Sequence, residues 1–183
     1  MCDTHCRDFG ERELTAELCT AKDVLEVGSY DVNGSIRPFV ERFLPASYLG
    51  VDIMAGPRVD RVMNVENLEL ELGSEAFDTV ITTEMLEHVP DWRKAIKNLK
   101  AVLKPGGWLL ITTRAPGFPK HDYPNDHWRY LPEHFAAIFS EFKIVRNYTE
   151  DSSCGIFFLG QKPLEAGNEP DLAQIEVTPA PTV

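Results

Sequence analysis

The 183-residue chain holds no apolar run approaching the roughly 20 residues that a helix needs to cross a bilayer, which excludes a helical membrane span. Its opening residues, Met1-Cys2-Asp3-Thr4-His5-Cys6-Arg7-Asp8, lack the apolar centre of a secretory signal. The expected location is therefore cytoplasmic, with no membrane partner. Basic residues are in deficit: 18 Lys and Arg stand against 29 Asp and Glu, a formal net charge of −11. A chain that grips nucleic acid through its phosphates carries a basic face, so a nucleic-acid partner is not expected. Cysteine is scarce, and Cys2, Cys6, Cys19 and Cys154 are not spaced as a disulfide framework. Cys2, His5 and Cys6 look like half of a zinc site whose other half is missing, so thiols near a terminus are the expectation. The stretch Gly28-Ser29-Tyr30-Asp31-Val32-Asn33 lacks the second and third glycines of G-x-G-x-x-G, which argues against a dinucleotide dehydrogenase.

What the chain does have is a core-forming composition, 43% apolar and 26% charged, and an alternation of short apolar runs with helical patterns. Strands are expected at 23–27, 48–53, 59–63, 77–83 and 108–113. Helices are expected at 8–20, 35–43 and 131–140. A further helix at 91–103 carries Trp92, Ala95, Ile96, Leu99, Val102 and Leu103 on one face and ends at Lys104-Pro105-Gly106-Gly107. Two last strands, 142–148 and 154–161, are joined by a short polar segment that suits an antiparallel pair. The expected fold is α/β: a mostly parallel sheet with one antiparallel strand near its edge and helices on both faces. Residues 1–162 form the domain in this reading. Residues 163–183, with four prolines and several carboxylates, read as an acidic disordered tail.

The functional signal sits at the strand ends. Val24-Leu25-Glu26-Val27-Gly28 ends a buried strand in a turn, where a glycine lets a ligand approach the backbone. Glu26 either meets a ligand's positive charge or hydroxyls, or caps something nearby. Asp52 and Asn64 end the next two strands, so all three open onto one crevice. A carboxylate such as Asp52 accepts from both hydroxyls of a ribose, and Asn64 suits an adenine edge. The other reading of Asp52 is a cap or turn residue.

Together these segments resemble the class I S-adenosylmethionine-dependent methyltransferases. The resemblance covers residues 22 to about 161. Val24-Leu25-Glu26-Val27-Gly28, Gly50-Val51-Asp52, Phe77-Asp78-Thr79-Val80, Glu84-Met85-Leu86-Glu87-His88-Val89-Pro90 and Leu103-Lys104-Pro105-Gly106-Gly107 carry it. It implies a Rossmann-like, seven-stranded sheet with one antiparallel strand. It also implies S-adenosyl-L-methionine as cofactor, with Gly28 and its loop, including Ser29, near the methionine part. Asp52 and the adjoining Ile53 would lie at the ribose, Asn64 and the Val65 backbone at the adenine, and Glu26, Thr83 and Glu84 would complete the set. The sequence departs from the pattern at Tyr30 and Asp31, where small residues are common, and at Asn64, where Asp is commoner.

Glu84, Glu87 and His88 stand at i, i+3 and i+4, a spacing that puts them on one face of a helical turn. Two carboxylates and an imidazole suit Mg2+ or Mn2+. The pattern resembles that of metal-dependent ubiquinone-pathway O-methyltransferases and small-RNA 3′-end methyltransferases. Here the Glu and His either bind a metal, fix the turn, or, for His88, act as general base. Residues 114–130 form a long loop, a length that usually marks function, and offer His121, Asp126 and His127. The catalytic candidates are Glu87, His88 and His127. The loop's mixture of aromatics, histidines and arginines suits a sugar or other polyhydroxylated acceptor, or else packs on itself through Trp128 and Tyr130. The expected activity is O-methylation of a small-molecule or sugar hydroxyl. The competing readings are an RNA 2′-O-methyltransferase and a non-catalytic S-adenosylmethionine-binding protein. Self-association into a homo-oligomer is left open.

Overall fold

A computed structural model describes residues 4–122, 124–165 and 167–182. Its sheet is built from β1 (Asp23–Val27), β2 (Ser47–Asp52), β3 (Arg61–Val62), β4 (Phe77–Thr83), β5 (Leu103–Arg114), β7 (Lys143–Glu150) and β8 (Gly155–Gln161). Their order across the sheet is β3-β2-β1-β4-β5-β8-β7. The pairs among β1 to β5 are parallel, and β8 runs antiparallel to both of its neighbours. This is the expected Rossmann-like arrangement, with the antiparallel strand one place in from the edge.

Successive side chains of a strand point to opposite faces, and here both faces are apolar. Val24, Ile81, Leu110 and Phe157 face one side, where Phe9, Leu18 and Val40 cover them. Those three come from α1 (Thr4–Glu13), α2 (Ala16–Cys19) and α3 (Arg37–Glu41). Leu25, Val80, Leu109 and Phe158 face the other side, against Trp92, Ile96, Leu99 and Phe135. These belong to α5 (Trp92–Val102) and α6 (Pro132–Ile138), and α4 (Leu68–Leu72) lies beside α5. α5 starts where the Asp91 side chain accepts from Lys94 N at 3.1 Å, an N-cap that satisfies one of the free donors of the first turn. The helix expected over 8–20 is two helices, because Thr15 takes an extended conformation (φ −100°, ψ 172°) between them.

The tail is where the structure departs most from the sequence reading. Residues 172–174 form a 3-10 turn, and β9 (Thr178–Pro179) pairs antiparallel with β6 (Trp128–Arg129). Leu172 and Val177 are buried in the same core as α5. Arg93 on α5 donates to the Leu172 carbonyl at 2.8 Å and the Ile175 carbonyl at 2.7 Å. Three apolar residues spaced by three and two form no helical or strand period, so periodicity does not reveal them. They are nevertheless enough to anchor a segment on a preformed surface. Among the described residues no helix is long and apolar enough to cross a membrane.

Candidate functional site

The strand order reverses beside β1: the chain steps outward from β1 through β2 to β3, then places β4 on β1's other side. At such a switch point the loops part and leave a crevice beyond the strands' carboxyl ends. A cleft of about 820 Å³, counting the space open at its mouth, lies there. Gly28 after β1, Asp52 and Ile53 after β2, Asn64 and Val65 after β3, and Glu84 after β4 all line it. Gly28 has φ +83°, and a Cβ there would fall 2.8 Å from Met85 Cβ; both facts demand glycine. Asp52 is oriented by backbone: its Oδ2 accepts from Tyr30 N at 3.2 Å and its Oδ1 from Met54 N at 3.0 Å. Each oxygen keeps a further lone pair. Tyr30, bulky for this loop, lays its ring over Gly56, where a Cβ would be 1.9 Å from the ring.

Three expected cofactor residues do not line the cleft. Glu26 and Thr83 lie two residues beyond Val24 and Ile81, so the strand pleat carries them to the α1–α3 side. The Glu26 Oε2 accepts from Tyr48 Oη at 2.7 Å. Ser29 is buried, its Oγ against Gly50. Asn64 does line the cleft, but its Oδ1 is engaged by Glu66 N at 2.9 Å as the cap of the turn at 65–67.

The expected Glu84-Glu87-His88 triad is not one face. Glu84 has φ +53°, a left-handed conformation that ends β4 abruptly. Its buried carboxylate turns to the Arg114 guanidinium, and its Oε1 accepts from Cys6 Sγ at 3.2 Å. Burial, with the Glu87 carboxylate adding, pushes the Glu84 pKa up to about 7 against the pull of Arg114. The set that converges is Glu87, His88 and His121, each offering an atom within 4.8 Å of the others. Glu87 Oε2 accepts from Thr113 Oγ1 at 2.7 Å. Glu87 Oε1 has no hydrogen-bond donor among the described residues. It lies 3.8 Å from His88 Nε2 and 3.9 Å from His121 Nε2. Of the opposite ring nitrogens, His88 Nδ1 pairs with the Asn125 carbonyl at 2.5 Å, whereas His121 Nδ1 lies 3.1 Å from Asp126 Oδ2 without a hydrogen bond among the described residues.

His127, expected to be catalytic, is not part of this set. Its backbone N donates to the Glu87 carbonyl at 2.8 Å, so it serves as a strut. Tyr130 is buried and Trp128 Nε1 donates to the Val89 carbonyl at 2.9 Å. Phe118 lies under the Arg114 guanidinium, 3.9 Å from its ring centre. These three aromatics are spent on packing rather than offered as a sugar platform. Arg114 and Arg129 were not singled out by the sequence. The i, i+3 charge pair inside Asp126-His127-Trp128-Arg129 was the available signal for the second. Of the proposed terminal half-site, Cys2 lies outside the described residues. His5 Nε2 faces Glu150 at 3.7 Å, whereas Cys6 faces Glu84.

A family model described as a methyltransferase domain matches residues 3–149. The chain belongs to this methyltransferase family. It is 43% identical over 120 residues to the ubiquinone biosynthesis O-methyltransferase of Chromobacterium violaceum, an alignment covering 58% of this chain and 49% of that protein. The chain thus spans about half the length of that relative. The 1,6-didemethyltoxoflavin-N1-methyltransferase of Burkholderia thailandensis, solved with 1,6-didemethyltoxoflavin and S-adenosylhomocysteine, superposes with a TM-score of 0.64 at 19% identity. The match covers 86% of this chain and 78% of that one. The [4+2]-cyclase SpnF superposes with a TM-score of 0.66 at 16% identity, covering 88% and 81%. At such identities the likeness is one of fold, and a cyclase on this fold shows why the reaction must be argued from the site.

In this methyltransferase domain Glu26 is a stability switch rather than a cleft residue. Burial pushes its carboxyl up to about 7, against the hydrogen bond from Tyr48. The folded state therefore keeps the proton to a higher pH than the unfolded chain, whose Glu titrates near 4.5. Stability from this group is complete below about 4.5 and is lost as pH rises toward 7, by about 3 kcal/mol at roughly 1.4 kcal/mol per unit. Glu26→Gln is expected to match the wild type in urea unfolding at pH 4.5 and to exceed it at pH 8. An equal gap at both pH values would remove the switch.

Proposed function

We propose that this chain binds S-adenosyl-L-methionine in the cleft and transfers a methyl group to a hydroxyl of a small-molecule acceptor. The observation that carries the reading is the convergence of Glu87, His88 and His121, with His88 itself on the cleft wall. The donor supplies a sulfonium methyl, an electrophile that an acceptor oxygen takes in one in-line displacement. Asp52, held by two backbone amides, keeps lone pairs for the ribose hydroxyls. Ile53 and Val65 flank it for the adenine, and Gly28 allows close approach of the methionine portion. Positioning is the main contribution. The acceptor's proton is the remaining problem, and Glu87, His88 and His121 are the groups placed to take or displace it. The relative's name, an O-methyltransferase, supports oxygen as the acceptor atom.

The same three residues fit a divalent cation. Glu87 Oε1 lacks a donor among the described residues, both imidazole Nε2 atoms face it, and the His88 Nδ1 is held by the Asn125 carbonyl, the second layer that ligating histidines usually have. We propose Glu87, His88 and His121 as the ligands of Mg2+ or Mn2+, in place of the set containing Glu84. Such an ion would lower the acceptor hydroxyl's proton affinity.

Calorimetry tests the donor half. The wild type is expected to bind S-adenosylmethionine and S-adenosylhomocysteine. Asp52→Ala should weaken both by about 1–3 kcal/mol, the scale of lost charge-assisted hydrogen bonds. Absence of binding by the wild type would end the methyl-transfer reading.

A further inference from the structure

We propose that Asn64 meets the base of the cofactor with an N–H donor, so that the cleft does not select the 6-amino group of adenine and accepts a 6-oxopurine as well. The proposal rests on the reading of the cleft as the S-adenosylmethionine site and adds a specificity to it.

The order of the strands sets where the base lies. β3 is the outermost strand on this side of the sheet, and β2, β1 and β4 follow it. The cleft residues beyond their ends are, in the same order, Asn64, Asp52, Gly28 and Glu84. His88, farther along the chain from β4, marks the acceptor end. A nucleoside held by its ribose at Asp52, with its methionine portion toward β4, therefore carries its base toward Asn64. Ile53 and Val65 line the same end.

Asn64 already has one of its two amide ends in use. The Glu66 backbone N meets it at 2.9 Å and so caps the turn at Val65–Asn67. A backbone N–H can only donate, so the atom it meets is the carbonyl oxygen Oδ1, and the orientation of the amide is fixed. What remains is the NH2 group, which donates and cannot accept. Asn64 is exposed on the cleft wall, where these donors can reach a ligand. The Watson–Crick edge of adenine offers a donor, the 6-amino group, beside an acceptor, N1. A carboxylate at this position would accept from the amino group. The amide donor instead serves N1 and leaves the amino group without a partner from this side chain. Hypoxanthine offers O6 as an acceptor beside N1–H, and the same donor serves O6. The other carboxylate at this end of the cleft, Glu66, pairs with Lys94 Nζ at 3.5 Å.

Calorimetry on the full chain tests this, with S-adenosylhomocysteine and S-inosylhomocysteine as the two probes. The wild type is expected to bind them within about fivefold of each other, since one donor finds one acceptor on either base. Asn64→Asp keeps the cap, because Asp and Asn serve equally well there. Its second oxygen faces the 6-amino group of one probe and O6 of the other. The preference for S-adenosylhomocysteine should therefore rise by about tenfold or more over the wild type, the scale of a hydrogen bond made in one complex and an unpaired polar group left in the other. A wild type that prefers S-adenosylhomocysteine by more than about fivefold overturns the proposal and assigns the amino group to an acceptor such as Glu66. An Asn64→Asp chain with the wild-type ratio overturns the role of Asn64. Binding of neither probe by the wild type overturns the cofactor reading, and this proposal with it; the other two failures differ from it because S-adenosylhomocysteine still binds.

Discussion

Glu87→Gln is expected to lower turnover by at least about a hundredfold, within the range that acid–base or metal assistance supplies, while cofactor affinity stays within about twofold. Glutamine matches glutamate in size, and its carbonyl can still accept from Thr113 Oγ1, so the loop geometry has no steric reason to change. What is lost is the negative charge that two imidazole Nε2 atoms face. Glu87 is fully buried yet is absent from the cleft wall, which separates its effect from donor binding. Removing a buried charge whose second oxygen has no donor among the described residues leaves no new uncompensated ion, so the melting temperature should not fall. Steady-state kinetics beside calorimetry and thermal melts check all three statements. A chelator then divides the two chemistries. Inhibition reversed by Mg2+ or Mn2+ supports the cation. Chelator-insensitive turnover with activity still lost in Glu87→Gln assigns proton transfer to the side chains alone. Full activity in Glu87→Gln would remove this cluster from the reaction.

The strands and the cleft they create were legible because they depend on local pattern. Val24–Val27, Phe77–Thr83 and Trp108–Thr113 are runs that can only be buried on both faces, and once they are parallel, Asp52 and Asn64 must end at one edge. The triad was not legible, because spacing of i, i+3 and i+4 presumes a helix. Glu84 instead adopts a left-handed backbone, and its side chain answers to Arg114 and Cys6, 30 and 78 positions away. No local rule reports such partners. The choice of His121 over His127 is likewise set at a distance. Arg129 gathers the Phe118, Pro119 and Trp128 carbonyls and Asp126, whose Oδ2 takes the His121 backbone N–H. Glu26 shows the opposite failure. Its place at a strand end was read correctly, but the pleat aims its carboxylate at Tyr48, away from the cleft.

The segment after Pro163 should matter to both stability and activity, against the expectation of an inert tail. Leu172→Ala is expected to cost about 2–5 kcal/mol, the range for a buried leucine emptied to alanine, and so to lower the melting temperature by roughly 5–15 °C for a domain of this size. Leu172 is 5% exposed and its carbonyl is held by Arg93, so the site has little freedom to collapse around the missing atoms. Truncation after Pro163 should cost at least as much, since it also exposes the core that Val177 covers. The functional consequence follows from β9. Ala180 N donates to the His127 carbonyl at 2.8 Å while His127 N donates to the Glu87 carbonyl at 2.8 Å. The tail is therefore stitched through one residue to the backbone of Glu87. Truncation is expected to raise the acceptor KM and lower kcat at a temperature where the chain is still folded, with donor affinity unchanged, because Arg93, His127, Trp128 and Arg129, to which the tail's hydrogen bonds and strand pairing run, do not line the cleft. Differential scanning calorimetry and initial-rate measurements on the truncated chain decide it. An unchanged melting temperature would show that the burial of Leu172 and Val177 adds nothing in solution. An unchanged acceptor KM in a destabilised chain would confine the tail to a structural role.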